Sequence, residues 1–224
     1  MHVFSDPNNF DVYVTGFLWI LKLTLAGSVG AFVLGVVLAG MRVSPVPVLR
    51  GFGTLWVNTF RNTPLTLIVF FCYFGLYSTL GLTLSDDIDL NNYWLGVVGL
   101  SVYTAAFVCE AIRSGINTVP TGQAEAARAI GLTFTQNLRI IVLPQAFRAV
   151  IAPLASVLIA LTKNTTIASS IGVAEAALLM STMVENESNA LISVFVVFAL
   201  GFLVLTLPLG LLLGVVAKRM AVRR

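Results

Sequence analysis

The chain has 224 residues, of which 58% are apolar and only 10% charged, and its mean hydropathy is +0.94. That balance excludes a soluble domain, whose surface needs far more charge, and leaves most side chains facing lipid or other helices. The formal net charge of +3 conceals an asymmetry along the chain and is no footprint for nucleic acid.

A polar, acidic lead with Asp6 and Asp11 precedes the first apolar run, 17–41. The lead lacks a basic n-region, and the run far exceeds the roughly 7–15 residues of a signal peptide, so it is expected to remain as a helix. Lys22, near its outer end, is expected to snorkel. Arg42, Arg50 and Arg61 follow, then a second run, 65–84. After Asp86, Asp87 and Asp89 comes a third, 93–112, which carries Glu110. A long polar segment, 113–148, leads to a fourth, 149–171, which carries Lys163, and the acidic stretch with Glu175, Glu185 and Glu187 leads to a fifth, 191–217. Each run has the length of about 20 residues needed to cross a hydrocarbon core of about 30 Å. The sequence therefore predicts an all-α integral membrane protein of five transmembrane helices, one domain over 1–224.

Orientation follows from the cations. Arg42, Arg50 and Arg61 lie in the first loop, Arg113, Arg128, Arg139 and Arg148 in the third, and Lys218, Arg219, Arg223 and Arg224 in the tail, whereas the other side holds only acids. The positive-inside rule places the N-terminus outside and the C-terminus in the cytoplasm.

Cys72 and Cys109 fall inside predicted spans and read as packing residues, and the lone His2 excludes a His-based metal cluster. No G-x-x-x-x-G-K-[ST], G-x-S-x-G or H-E-x-x-H occurs. No catalytic residue, bound cofactor or metal is expected, and the chain reads as no enzyme. Gly210 and Gly214 form a G-x-x-x-G that permits close helix packing.

Segment 113–148 is too long for a plain connection. Pro120 and Thr121 open a short Ala-rich helix, with Glu125 in its first turns and Gly131 as a left-handed stop. Thr133 and Gln136 have capping-box spacing and open a second helix, which Pro144 would kink or end. Ala124, Ala127 and Gly131 leave one face almost without side-chain bulk, with Glu125 and Arg128 beside it. Such a face suits docking into a groove, and it equally suits a membrane-surface helix; the spacing leaves both open.

Lys163, Asn164, Thr165 and Thr166 form a polar break at membrane depth, expected to face a cavity or another helix. Lys163 lies about 21 Å into its span, at 1.5 Å per residue, where it could meet a carboxylate, pair with Glu175 or snorkel outward. Glu110 and Arg113, three residues apart, suit an ion pair at the inner boundary before a gating role. A secondary carrier or a pore subunit not coupled to an ATPase could share this hydropathy, although neither an internal repeat nor a filter-like segment is evident.

Glu125-Ala126-Ala127, Gly131 and Leu143-Pro144-Gln145-Ala146 resemble the EAA loop of ABC-importer permeases. Arg61-Asn62-Thr63-Pro64-Leu65, Glu110, Arg113-Ser114-Gly115-Ile116 and Pro120-x-Gly122-Gln123 resemble the polar-amino-acid branch of that superfamily, and 163–169 looks closest to the glutamate permeases of actinobacterial systems. The resemblance spans roughly residues 15–217. It implies a type I importer permease fold in a bacterial inner membrane. It also implies a second, related permease chain, an external amino acid-binding protein and a cytoplasmic ATPase dimer carrying ATP and Mg. Gly122, Gln123, Glu125, Ala126, Ala127, Arg128, Gly131, Leu143 and Pro144 would then form the ATPase-coupling element, and Lys163 to Thr166 part of the substrate pathway. Glu110, Arg113 and Arg61 would form a gate or an ion pair.

Overall fold

The computed structural model describes residues 2–220, so Arg223 and Arg224 of the basic tail lie outside the described residues. Among those described, the chain forms nine α-helices: α1 (Pro7–Val43), α2 (Pro47–Arg61), α3 (Leu65–Phe70), α4 (Ile88–Asn117), α5 (Thr121–Ala129), α6 (Phe134–Asn137), α7 (Leu143–Asn164), α8 (Ala176–Asn186) and α9 (Leu191–Met220). Wide π-type turns extend α3 to Thr79 and join α6 to α7, and a 3-10 stretch carries α7 on through Thr165–Ile171. Four helical stretches, Pro7–Val43, Ile88–Asn117, Thr135–Ile171 and Leu191–Ala217, are long and apolar enough to cross a membrane, and Leu65–Thr79 is apolar but shorter.

Acids set where three helices begin. Asp6 accepts the Asn8 N–H at 2.9 Å, Asp87 accepts the Leu90 N–H at 2.9 Å, and Glu175 accepts those of Ala177 and Leu178 at 2.9 and 3.2 Å. Each satisfies helix-terminal donors that would otherwise be orphaned, so part of the acidity on this side is capping chemistry.

The centre of the molecule is α4, two-thirds of whose most apolar stretch is buried. It lies against α1 and runs the same way: Tyr93 donates to the Lys22 carbonyl, Ser101 donates to the Gly27 carbonyl, and Glu110 pairs with Arg42. Gly30 and Gly35 allow this approach, since a Cβ at either would collide with Ser101 or Val108.

Between these parallel helices the chain returns in two pieces. Val57 of α2 packs with Leu38, Ala105 and Cys109 near the Arg42 end, whereas Leu65, Val69 and Cys72 climb toward Tyr93 and Leu95. The return is broken at 62–64, where Asn62 and Thr63 bond back to the carbonyls of Asn58 and Thr59 and Pro64 lacks a donor.

The boundaries differ from expectation at several points. The second run does not continue as helix to residue 84: helix stops at Thr79, and Gly81 at φ 66° turns the chain. The missing length comes from α2, whose amphipathic sequence contains no long apolar run. The first and third helices overrun 17–41 and 93–112, because their capped, polar ends add turns beyond the apolar stretch. Segment 113–148 is helical at both ends, since α4 reaches Asn117 and α7 starts at Leu143. Pro144 does not end the second helix; it falls in the first turn of α7, directly after the π-type turns of Leu138–Val142. The fourth run is α-helical only to Asn164, and the acidic stretch after it holds α8, packed by Ala176 and Met183 against Ile20, Val194 and Phe198.

Candidate functional site

Two regions hold the residues singled out from the sequence. The first is α5 and the turn after it. Gly131 adopts φ 87°, and the Leu132 and Gly131 N–H groups close on the carbonyls of Ala127 and Arg128 at 3.1 and 3.0 Å, a Schellman stop. Thr133 and Gln136 form the expected box, the Gln136 N–H reaching Thr133 Oγ1 at 3.3 Å and the Thr133 N–H reaching Gln136 Oε1 at 2.9 Å. A cross-tie comes from Gln145 Nε2, which donates to Gln123 Oε1 at 2.7 Å and to the Ile141 carbonyl at 2.9 Å.

Of the small residues Ala127 and Gly131, the first is buried and the second exposed. Ala127 is 4% exposed, while Gly122, Gln123, Glu125, Ala126 and Arg128 are exposed. Ala124 is outside the side chains described. Ala127 is turned inward, while Gly131 of the same spacing stays exposed. Ile130, 80% exposed at the end of α5, belongs to the outward face, and Leu143 and Phe147 expose apolar surface nearby in sequence. Sequence reading passed over Ile130; its signal was an isoleucine immediately before a helix-stopping glycine.

The second region lies between α4 and α7, where a cavity of about 240 Å³ is lined by Tyr103, Thr104, Phe107, Ser156, Leu161 and Asn164, among others. Thr104 is 3% exposed, and its Oγ1 has no hydrogen-bond partner. Of the four residues in the polar break, Asn164 alone lines this cavity. Thr165 and Thr166 donate to the carbonyls of Thr162 and Lys163, at 2.8 and 2.9 Å, where the α-helix gives way to the 3-10 stretch. Lys163 is exposed, and Glu175, fully buried, caps α8, so the two do not pair. Lys22 is exposed and lies 4.4 Å from the Trp19 ring centroid.

Beside Phe107, which lines this cavity, stands a charged cluster. Glu110 binds Arg42 closely through one oxygen, while Arg113 at 3.5 Å and Arg61 at 3.8 Å face the other. The expected Glu110–Arg113 pair is present, and Arg61 joins it. Arg42, 68 positions before Glu110, was not foreseen as a partner. The Arg61 guanidinium also lies over the Phe107 ring, 5.8 Å from its centroid. Cys72 and Cys109 are free and buried, and no group of metal-binding side chains occurs among the described residues.

A broken-helix bundle with a partly open cavity between α4 and α7 and an exposed short helix has the form of a transporter's membrane subunit. The chain belongs to the family described as the binding-protein-dependent transport system inner membrane component, which matches residues 31–222. It is 55% identical over 212 residues to the glutamate transport system permease protein GluC of Corynebacterium efficiens, covering 92% of this chain and 93% of that one. It is 39% identical to the probable glutamine ABC transporter permease protein GlnM of Bacillus subtilis, covering 95% of each. Among solved structures it resembles a chain in the crystal structure of an amino acid ABC transporter with histidines, with a TM-score of 0.87 at 25% identity, covering 97% of this chain and 98% of that one.

Proposed function

We propose that the chain is the permease subunit of an ATP-driven importer of a polar amino acid, glutamate before glutamine, aspartate or a basic amino acid. It crosses the inner membrane five times, with its N-terminus outside and its C-terminus in the cytoplasm. The parallel run of α1 and α4 supports this count, since two helices crossing in one sense need a return between them. The second half of α2 with α3 is the segment available. The identity to glutamate permeases favours glutamate.

The observation that carries the coupling reading is α5, closed by Gly131 and tied to the foot of α7 by Gln123 and Gln145. A short helix braced in this way moves as a rigid unit, and its exposed Glu125 and Ile130 offer a polar and an apolar contact to a groove. The groove belongs to a cytoplasmic ATPase dimer, which holds ATP and Mg and performs all the hydrolysis. A second permease chain, related to this one, completes the membrane part, and an external binding protein delivers the substrate. When ATP closes the dimer, α5 is displaced, and α4 and α7 reorient about the cavity between them. Thr104 and Asn164 meet the substrate in that cavity.

The test is ATP-dependent uptake of labelled glutamate by vesicles carrying the whole complex, comparing wild type with Glu125→Lys and Gly131→Arg. Loss of both uptake and ATPase co-purification in membrane-inserted variants is the expected result. Normal transport by both variants would remove the coupling role.

A further inference from the structure

The α4–α7 cavity contains polar groups but no formal charge: its lining includes Tyr103, Thr104, Ser156 and Asn164, and no acid or base. Every amino acid in transit brings a carboxylate into it, and a carboxylate leaving such a place needs a cation nearby. The cluster beside Phe107 supplies cations in excess. Three guanidinium groups, Arg42, Arg61 and Arg113, surround the single carboxylate of Glu110, so the cluster holds two more positive charges than negative.

The three cations are not equivalent. Arg42, with 10% of its side chain exposed, binds Glu110 closely and is committed to joining α1 to α4. Arg113 reaches Glu110 along its own helix, and its Nε is buried without a partner. Arg61 is the loosest, 45% exposed and 3.8 Å from Glu110, on the last residue of α2 before the broken segment 62–64. Its guanidinium lies over Phe107, and Phe107 lines the cavity. The most available cation of the cluster thus rests on the ring that forms part of the cavity wall.

We propose that Arg61 is a carboxylate-accepting residue at the cytoplasmic end of the translocation pathway, with Glu110 as its stand-in partner when no substrate is present. An amino acid leaving the cavity past Phe107 exchanges its carboxylate for that of Glu110. Arg42 and Arg113 hold Glu110 in place during the exchange, so Glu110 is not left as a bare charge. Guanidinium suits this role, because it stays ionised and forms paired hydrogen bonds with a carboxylate.

The inference rests on reading the chain as an amino acid permease, and its test separates the two. The whole complex is placed in proteoliposomes with the ATPase outward and the loaded binding protein in the lumen, and transport is measured while glutamate is added on the ATPase side. Failure of wild type to transport glutamate at all overturns the substrate reading. With transport present, glutamate on the ATPase side is expected to inhibit. Arg61→Gln should raise the concentration for half-inhibition about tenfold in complexes matched for ATPase content. Arg61→Lys should raise it less, and Arg50→Gln, which removes an exposed cation on the same helix, should leave it unchanged. A purely structural Arg61 would change transport rate without changing this inhibition. Equal half-inhibition in wild type and Arg61→Gln, or no inhibition of the wild type, overturns the proposal.

Discussion

Gln145 Nε2 donates to Gln123 Oε1 at 2.7 Å, bridging 22 positions to fasten the short helix α5 to the first turns of α7. An exposed neutral hydrogen bond contributes about 0.5–1.5 kcal/mol. Gln145→Ala and Gln123→Ala should each weaken ATPase association by a few-fold, and the double variant should add little to either single one. Titration of purified ATPase against the permease in detergent measures all three.

Gly131 at φ 87° lies where a side chain costs roughly 1–2 kcal/mol. Nothing lies within 4 Å of an added Cβ, so the cost is conformational rather than steric crowding. Gly131→Ala should therefore reduce ATPase affinity by roughly 5- to 30-fold, and Gly131→Asn by less, since asparagine tolerates this region better. The melting temperature of the membrane bundle should hardly change, because α5 packs little of the core.

Thr104 separates function from stability. Its buried hydroxyl lacks a partner, so Thr104→Val removes an unsatisfied group at nearly constant volume, which is neutral or stabilising. The expected pattern is an unchanged or raised melting temperature with a several-fold fall in uptake. A variant that melts normally and transports normally would take Thr104 out of the substrate path.

Glu175, the cap of α8, gives the fold a dependence on pH. Burial pushes its carboxyl up to about 7, against the opposing effect of the Ala177 and Leu178 N–H groups. A carboxyl with a folded pKa above its unfolded value holds its proton more tightly in the folded chain. Stability therefore rises as pH falls from about 7 toward the ordinary carboxylate range, and it is lost as pH rises through about 7. Thermal melting of the complex between pH 5 and pH 8 should show this decline in wild type, and Glu175→Gln should flatten it.

What the sequence made legible follows the range of the interactions involved. Long apolar runs announce bilayer-length helices, and Gly131 and the Thr133–Gln136 box mark local backbone events, so these were visible in a window of a few residues. The α2 helix was not, because its partners are Leu38 and Cys109, distant in sequence, and its own pattern mixes Arg50, Gly51 and Thr54 with the apolar positions. Pro144 misled for a related reason: a proline breaks a regular α-helix, whereas here the ladder is already shifted by π-type turns. The Glu110–Arg113 pair could be read from a spacing of three, but Arg42 approaches through the α1–α4 packing. Thr104 carries no sign of its place in the cavity wall, since a threonine within a span is unremarkable until the cavity beside it is seen.

The uneven burial of the long helices has an evolutionary consequence. About two-thirds of the most apolar stretch of α4 is enclosed by its own chain, against 11% for α9. Random substitution should therefore be purged from α4 and accumulate on α9, where any apolar residue satisfies lipid equally well. Lineages of this permease should diverge from the periphery inward, and new partnerships between membrane chains should arise on surfaces like that of α9 without disturbing the α4 axis.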